Sequence, residues 1–172
     1  LLINLEGTFV EKNFKKDKFT ACPLALHDDI LQVVPDNVIL SLANNHSTDF
    51  GLSGLTLTLE KLKERLAKIK SSEMFFIGGQ RVIFMVDSRE WCKPKDLDCF
   101  DFKLSAVEEM GEITDSIVYV HGGLEWRFYP SPLARKIAHR LIDNGAKAVI
   151  FHHSHINAAI ELYDDRYIFY GL

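Results

Sequence analysis

The sequence predicts one α/β domain over residues 1–172, a layered fold with central β-sheet flanked by helices, and three observations carry that prediction. Short aliphatic and β-branched runs alternate with helical stretches. One stretch repeats apolar residues at three- and four-residue steps, the period of an amphipathic helix. The apolar runs also stop, again and again, in a polar cluster, and in α/β sheets ligands gather outside the carboxyl ends of the strands.

The elements follow in order. Leu1-Leu2-Ile3-Asn4 reads as the end of a buried strand, and Val38-Ile39-Leu40-Ser41-Leu42 as a second buried run. Leu52, Leu55, Leu59, Leu62, Leu66 and Ile69 then mark one face of a helix, with Glu60, Lys61, Lys63, Glu64 and Lys68 on the other. Gly78-Gly79 turns the chain into the strand Val82-Ile83-Phe84-Met85-Val86. From Asp87 to Thr114 the polarity is mixed, and a loop with one short helix is expected. Ile117-Val118-Tyr119-Val120 is a strand. Leu133, Ile137, Ala138, Leu141 and Ile142 mark a helix after Pro132, closed by Asn144-Gly145. Ala148-Val149-Ile150-Phe151 is the next strand, and residues 159–170 around Asp164-Asp165-Arg166 read as a hairpin.

The composition is that of an ordinary globular chain: 47% hydrophobic, 26% charged, mean hydropathy −0.01. The 20 Lys and Arg are outnumbered by 24 Asp and Glu, and the one basic cluster, Lys12, Lys15, Lys16 and Lys18, reads as a solvated loop. That balance leaves no nucleic-acid footprint. The three cysteines, Cys22, Cys92 and Cys99, never form C-x-x-C, which argues against a disulfide framework or a structural zinc and favours a reducing, cytoplasmic setting. No apolar run approaches the roughly 18 residues that span a bilayer.

The strand endings carry the chemistry. They are Asn4-Leu5-Glu6-Gly7, Asn44-Asn45-His46, His121-Gly122-Gly123 and His152-His153-Ser154-His155. Imidazole nitrogens with a carboxylate and an amide oxygen suit borderline divalent ions such as Mn, Fe or Zn. Each ending also has a plain alternative. Glu6 before Gly7 is an ordinary solvated turn residue, Asn44-Asn45 an ordinary turn, His46 a hydrogen-bonding histidine, and His121 a strand terminus. The cluster at 152–155 resists such a reading, because three imidazoles in four residues after an apolar strand are costly to bury without partners. Four such endings in succession point jointly to a metal site.

These motifs resemble the CapA-type poly-γ-glutamate capsule biosynthesis family, whose fold belongs to the calcineurin-like metallophosphoesterase superfamily. Asn4-Leu5-Glu6-Gly7 is similar to that family's N-[LF]-E-[GN]. Residues Leu42-Ala43-Asn44-Asn45-His46-Ser47-Thr48-Asp49-Phe50-Gly51 follow L-A-N-N-H-x-x-D-[YF]-G. His121-Gly122-Gly123-Leu124-Glu125-Trp126 is similar to H-W-G-x-E-[YW], and 142–155 to D-x-G-A-D-x-[VI]-[VI]-G-H-H-P-H. Gly122 stands where the family has Trp, Phe151 where it has Gly, Ser154 where it has Pro, and Lys147 where it has Asp. The family's opening strand with its Gly-Asp ligand, and its closing G-N-F, are expected beyond the two ends of this sequence. An N-terminal membrane anchor there would place the protein outside the membrane instead of in the cytoplasm.

The resemblance implies a site with two divalent transition metals, Mn, Fe or Zn. Glu6 would bridge them, Asn45 would supply an amide oxygen, and His121, His153 and His155 the imidazoles. Such a pair activates water and clamps the oxygens of an in-line displacement at phosphorus. His46 would be the general acid, Asp49 would fix its tautomer, and Glu125 would support His121 or face the substrate. Asn44 and His152 would support ligands or contact substrate. The implied activity is a metal-dependent phosphohydrolase or phosphodiesterase acting on a phosphate ester. The alternative is a polymer-handling or assembly component of poly-γ-glutamate synthesis, with an anionic polymer as partner.

Overall fold

The computed structural model describes residues 1–11, 14–15, 22–35, 38–62, 75–87 and 100–172. The chain divides into two compact units, Leu1–Ile69 with Ser88–Leu97, and Lys70–Asp87 with Asp98–Leu172.

In the first unit β1 (Leu2–Asn4) pairs in parallel with β4 (Ile39–Ser41), and β2 (Thr8–Phe9) in parallel with β3 (Ala25–Leu26). Helix α1 (Ile30–Val33) is a single turn without buried residues. Val38, Leu40 and Leu42 are buried as expected of the second apolar run, whereas β1 is only partly covered, with Ile3 exposed. Helix α2 (Gly51–Lys61) differs from the expected leucine stripe. Its buried residues are Gly54, Leu55 and Thr58, while Leu52 and Leu59 are exposed. The cause is close approach: a Cβ on Gly54 would lie 2.9 Å from Thr8 Cγ2, and the Thr58 hydroxyl accepts from the Phe9 amide at 2.9 Å. Leu66 and Ile69, the far end of that predicted stripe, lie outside the described residues.

The second unit is built on a seven-stranded sheet in the order β10-β11-β9-β8-β6-β5, with β7 also paired to β6. The strands are β5 (Phe75–Ile77), β6 (Gln80–Val86), β7 (Phe100–Asp101), β8 (Ile117–His121), β9 (Ala148–His152), β10 (Ile160–Tyr163) and β11 (Arg166–Phe169). Strands β6, β8, β9 and β11 run parallel, while β5 and β10 are antiparallel hairpin partners at the two edges. Both hairpin turns use left-handed backbone, φ +58° and +82° at Gly78-Gly79 and +49° and +56° at Asp164-Asp165, the conformation that two-residue hairpin loops require.

Helices α3 (Leu104–Glu109) and α4 (Pro132–Asp143) contribute Ala106, Val107, Ile137, Ala138 and Leu141 to one core, which Val118, Val120, Val149 and Phe151 of the sheet complete. Strand residues alternate between faces. The face of β8 and β9 opposite that core therefore carries Tyr119, His121 and His152. Ser131 caps α4 by accepting from Ala134 N at 3.1 Å, with Pro132 at its first position. Among the described residues, no helix is long and apolar enough to cross a membrane.

Candidate functional site

In the first unit the polar string after β4 folds back on the end of β1. Asn44 is fully buried and all its donors and acceptors used here are local. Its amide donates to Asn4 Oδ1 at 3.0 Å and to the Leu5 carbonyl at 2.9 Å, while its Oδ1 accepts from His46 N and Ser47 Oγ. Asn4 in turn donates to Glu6 Oε2 at 3.0 Å. Glu6 is thus aimed by a relay of two asparagines. Asn44 is a structural clamp in this arrangement, and Asn4 is a participant that the residue reading had not singled out.

His46 lies against two carboxylates. Its Nδ1 stands 2.7 Å from Asp49 Oδ2, and its Nε2 stands 3.7 Å from Glu6 Oε1. Asp49 is 2% exposed, and the same oxygen accepts from the Leu24 amide at 2.7 Å. A carboxylate with an imidazole and a backbone N–H on one oxygen is fixed in place. Asp49 therefore orients the ring through Nδ1, with Nε2 turned toward Glu6. Asn45, the expected amide ligand, is half-buried next to Asn44.

In the second unit parallel pairing sets Val86, His121 and His152 side by side at the strand ends. His121 is fully buried, and its ring centroid lies 4.6 Å from both His152 and His153; His153 lies 5.7 Å from His155. His153 and His155 both adopt left-handed backbone, φ +105° and +56°, which costs a non-glycine residue on the order of 1–3 kcal/mol and clusters at functional sites. Ser154, in the place of the family's Pro, donates from its hydroxyl to Ile156 O at 2.8 Å and accepts through its carbonyl from Trp126 N at 2.9 Å. Trp126 stacks on His155 at 5.4 Å.

Glu125 approaches His153 Nε2 at 3.5 Å. One partner of His121 is His152, whose Nδ1 lies 3.0 Å from His121 Nδ1. His152 is 6% exposed and stacks on Tyr119 at 4.3 Å, and its Nε2 has no hydrogen-bond partner among the described residues. Burial, reinforced by the charges that His153 and His155 carry when protonated, pushes its pKa down to about 3, so this ring is neutral at physiological pH. Burial likewise pushes Tyr119 up to about 12, so the stack presents an uncharged phenol.

The donors suit a divalent cation. Three imidazoles stand on and after β8 and β9, two of them in left-handed backbone, and imidazole nitrogen is a ligand that borderline divalent ions take. Of the cysteines only Cys22 is described; it is exposed and belongs to neither cluster.

Comparison with known proteins gives the family. The profile of the family described as "Bacterial capsule synthesis protein PGA_cap" matches residues 1–72 and 89–172. The unmatched stretch contains β5 and β6. The chain is 27% identical over 212 residues to a probable polyglutamine synthesis accessory protein of Mycobacterium tuberculosis, covering 99% of this chain and 53% of that one. It is 28% identical over 160 residues to the capsule biosynthesis protein CapA of Bacillus anthracis, covering 78% and 38%. With the PGA biosynthesis protein CapA of Bacillus subtilis it shares 25% over 188 residues, covering 94% and 48%. The chain spans about half or less of the length of these relatives. With the profile covering all but residues 73–88, this chain belongs to the bacterial capsule synthesis protein family PGA_cap.

Proposed function

We propose that the protein is a metal-dependent phosphoesterase serving capsule or poly-γ-glutamate synthesis. His121, His153 and His155 are its imidazole ligands for divalent cations of the Mn, Fe or Zn type, and Glu6 and Asn45 are the carboxylate and amide ligands that the family resemblance implies. When bound, those cations supply Lewis-acid charge that activates water and neutralises phosphoryl oxygens. The observation that carries the reading is the His46–Asp49 pair, Nδ1 to Oδ2 at 2.7 Å, because a site that only holds metal has no use for an oriented proton donor. In the reaction a P–O bond forms to the water oxygen and the P–O bond to the leaving group breaks. His46 gives its Nε2 proton to the departing oxygen, and Asp49 holds the ring throughout. His46 regains the proton from solvent.

A second reading makes the chain a polymer-handling or assembly component. The relatives favour it by name, since they are called biosynthesis and accessory proteins. Elemental analysis of purified protein, alongside His153→Ala, and an assay with a generic phosphodiester and added Mn separate the two. About two transition-metal ions per chain, lost in His153→Ala, with turnover that Asp49→Asn slows by roughly 10–100-fold at unchanged metal content, is the expected result. Metal without turnover would favour the assembly reading; no metal would sink the metal centre.

A further inference from the structure

Helix α4 packs on the face of the sheet opposite Tyr119, His121 and His152, and its outer side carries a groove of about 650 Å³ whose lining includes Pro130, Arg135, Lys136, His139, Arg140 and Asp143. Residues four apart on a helix stand about 5–6 Å apart, so Arg135 with His139 and Lys136 with Arg140 form two parallel rows. The first row is tied down. Arg135 donates from Nε and Nη2 to Glu161 at 3.1 and 2.6 Å, and His139 meets the same carboxylate at 3.0 Å while stacking on Tyr163 at 3.8 Å. The second row is not: Lys136 and Arg140 are exposed, and their side chains form no hydrogen bond or ion pair with another described residue. Asp143, at the far end, has Oδ1 occupied by the Tyr163 hydroxyl at 3.1 Å. On a chain of net charge −4, three cations within residues 135–140 of one helix are a local reversal of sign.

We infer that this groove binds an extended polycarboxylate, with Lys136 and Arg140 as its contacts and the Arg135–Glu161 pair as a fixed wall. A row of cations about 5–6 Å apart suits a chain that carries one carboxylate on each repeat. A nucleic acid suits it less, since phosphates follow one another every ~1.7 Å along a duplex, and Asp143 and Glu161 would stand beside charges that two free cations do not offset. Past Arg140 the surface turns acidic, with Glu108 and Glu112 beside the same arginine. A polyanion therefore leaves the groove at its Pro130 end. There the chain continues into the exposed segment 124–129, whose Trp126 stacks on His155. The inference goes beyond the phosphoesterase reading and does not rest on it, because none of the groove side chains is a proposed metal ligand.

Fluorescence anisotropy with end-labelled poly-γ-glutamate tests it, and polygalacturonate as competitor separates a polypeptide source of carboxylates from a polysaccharide one. Wild type is expected to bind, with affinity falling as salt rises. Lys136→Glu with Arg140→Glu is expected to weaken binding about tenfold. Lys103→Glu with Lys147→Glu, an equal change of charge on exposed side chains of the same unit, is expected to leave it within about twofold. Lys136→Gln with Arg140→Gln moves the affinity in the same direction by a smaller factor, and thermal midpoints of all three pairs separate a lost contact from a lost fold. No binding by wild type, an equal loss in both reversed pairs, or tighter binding of duplex DNA than of either polycarboxylate would each overturn the inference. Metal content, measured on the same samples, is expected to be unchanged in every pair, so that a failed groove leaves the metal centre standing and a failed metal centre leaves polymer binding in place.

Discussion

Gly122 shows how a single residue shapes the end of a strand. A Cβ there would lie 2.9 Å from Asp87 Cβ and 3.3 Å from Phe102 Cδ1, both held by β6 and by the segment entering α3. The tryptophan that the resembled family carries at this position has no room in this chain. Gly122→Trp is therefore expected to cost about 1–3 kcal/mol by overpacking, read as a lower midpoint in urea; a variant as stable as wild type would show that Asp87 and Phe102 move aside freely. The clustered histidines were conspicuous in the sequence because they stand directly after aliphatic runs. Their contacts were less so. The Leu24 amide on Asp49 is a backbone donor in a segment with no pattern, and the His121–His152 bond depends on strand register, which a sequence read one strand at a time does not contain.

At the scale of elements, helix α4 has the most complete local specification. Its Ser131 cap, Pro132 start, buried Ile137, Ala138, Leu141 and Ile142, and Gly145 at φ +102° all agree. Ser131→Ala removes the acceptor for Ala134 N and is expected to destabilise by about 1 kcal/mol, measured by equilibrium denaturation; no change would mean that water replaces the cap without loss. The same completeness made α4, β8, β9 and the C-terminal hairpin readable beforehand. Strands β2, β3 and β7 and helix α1 were not, since two-residue strands and a one-turn helix have no period to detect. Helix α2 was found and its buried face partly read: Leu55 and Leu62 are buried as expected, whereas Leu52 and Leu59 are exposed and Gly54 and Thr58 take their place in the contact.

For the molecule as a whole, acid sensitivity has an identifiable source. Glu161 on β10 accepts from both Arg135 and His139 of α4 and from the Tyr170 hydroxyl, at 2.6 to 3.0 Å for its shortest contacts. Arg135 foremost, then Tyr170 and His139, hold its carboxyl down at about 2. A depressed pKa means stability that is present above the unfolded value and lost as pH falls through the folded one, so the window here runs from about pH 4.5 to about 2. Denaturation midpoints are expected to drop across that window and to drop less in Glu161→Gln. An identical acid limb in the variant would assign the loss to other carboxylates.

The in-register meeting of His121 and His152 also sets what changes of length the chain tolerates. Their strands are joined by a long crossover, and a residue gained or lost between 129 and 130, past Glu125 and Trp126, alters a connection on the surface. A residue inserted within 117–120 is another matter, because side chains alternate faces and a shift of one exchanges them all. It would carry the His121 imidazole into the core of Val118, Val120 and Phe151 and put an aliphatic group in its place. The spacing from the start of β8 to its histidine is thus fixed by geometry, a constraint that the exposed connection beyond Trp126 does not share.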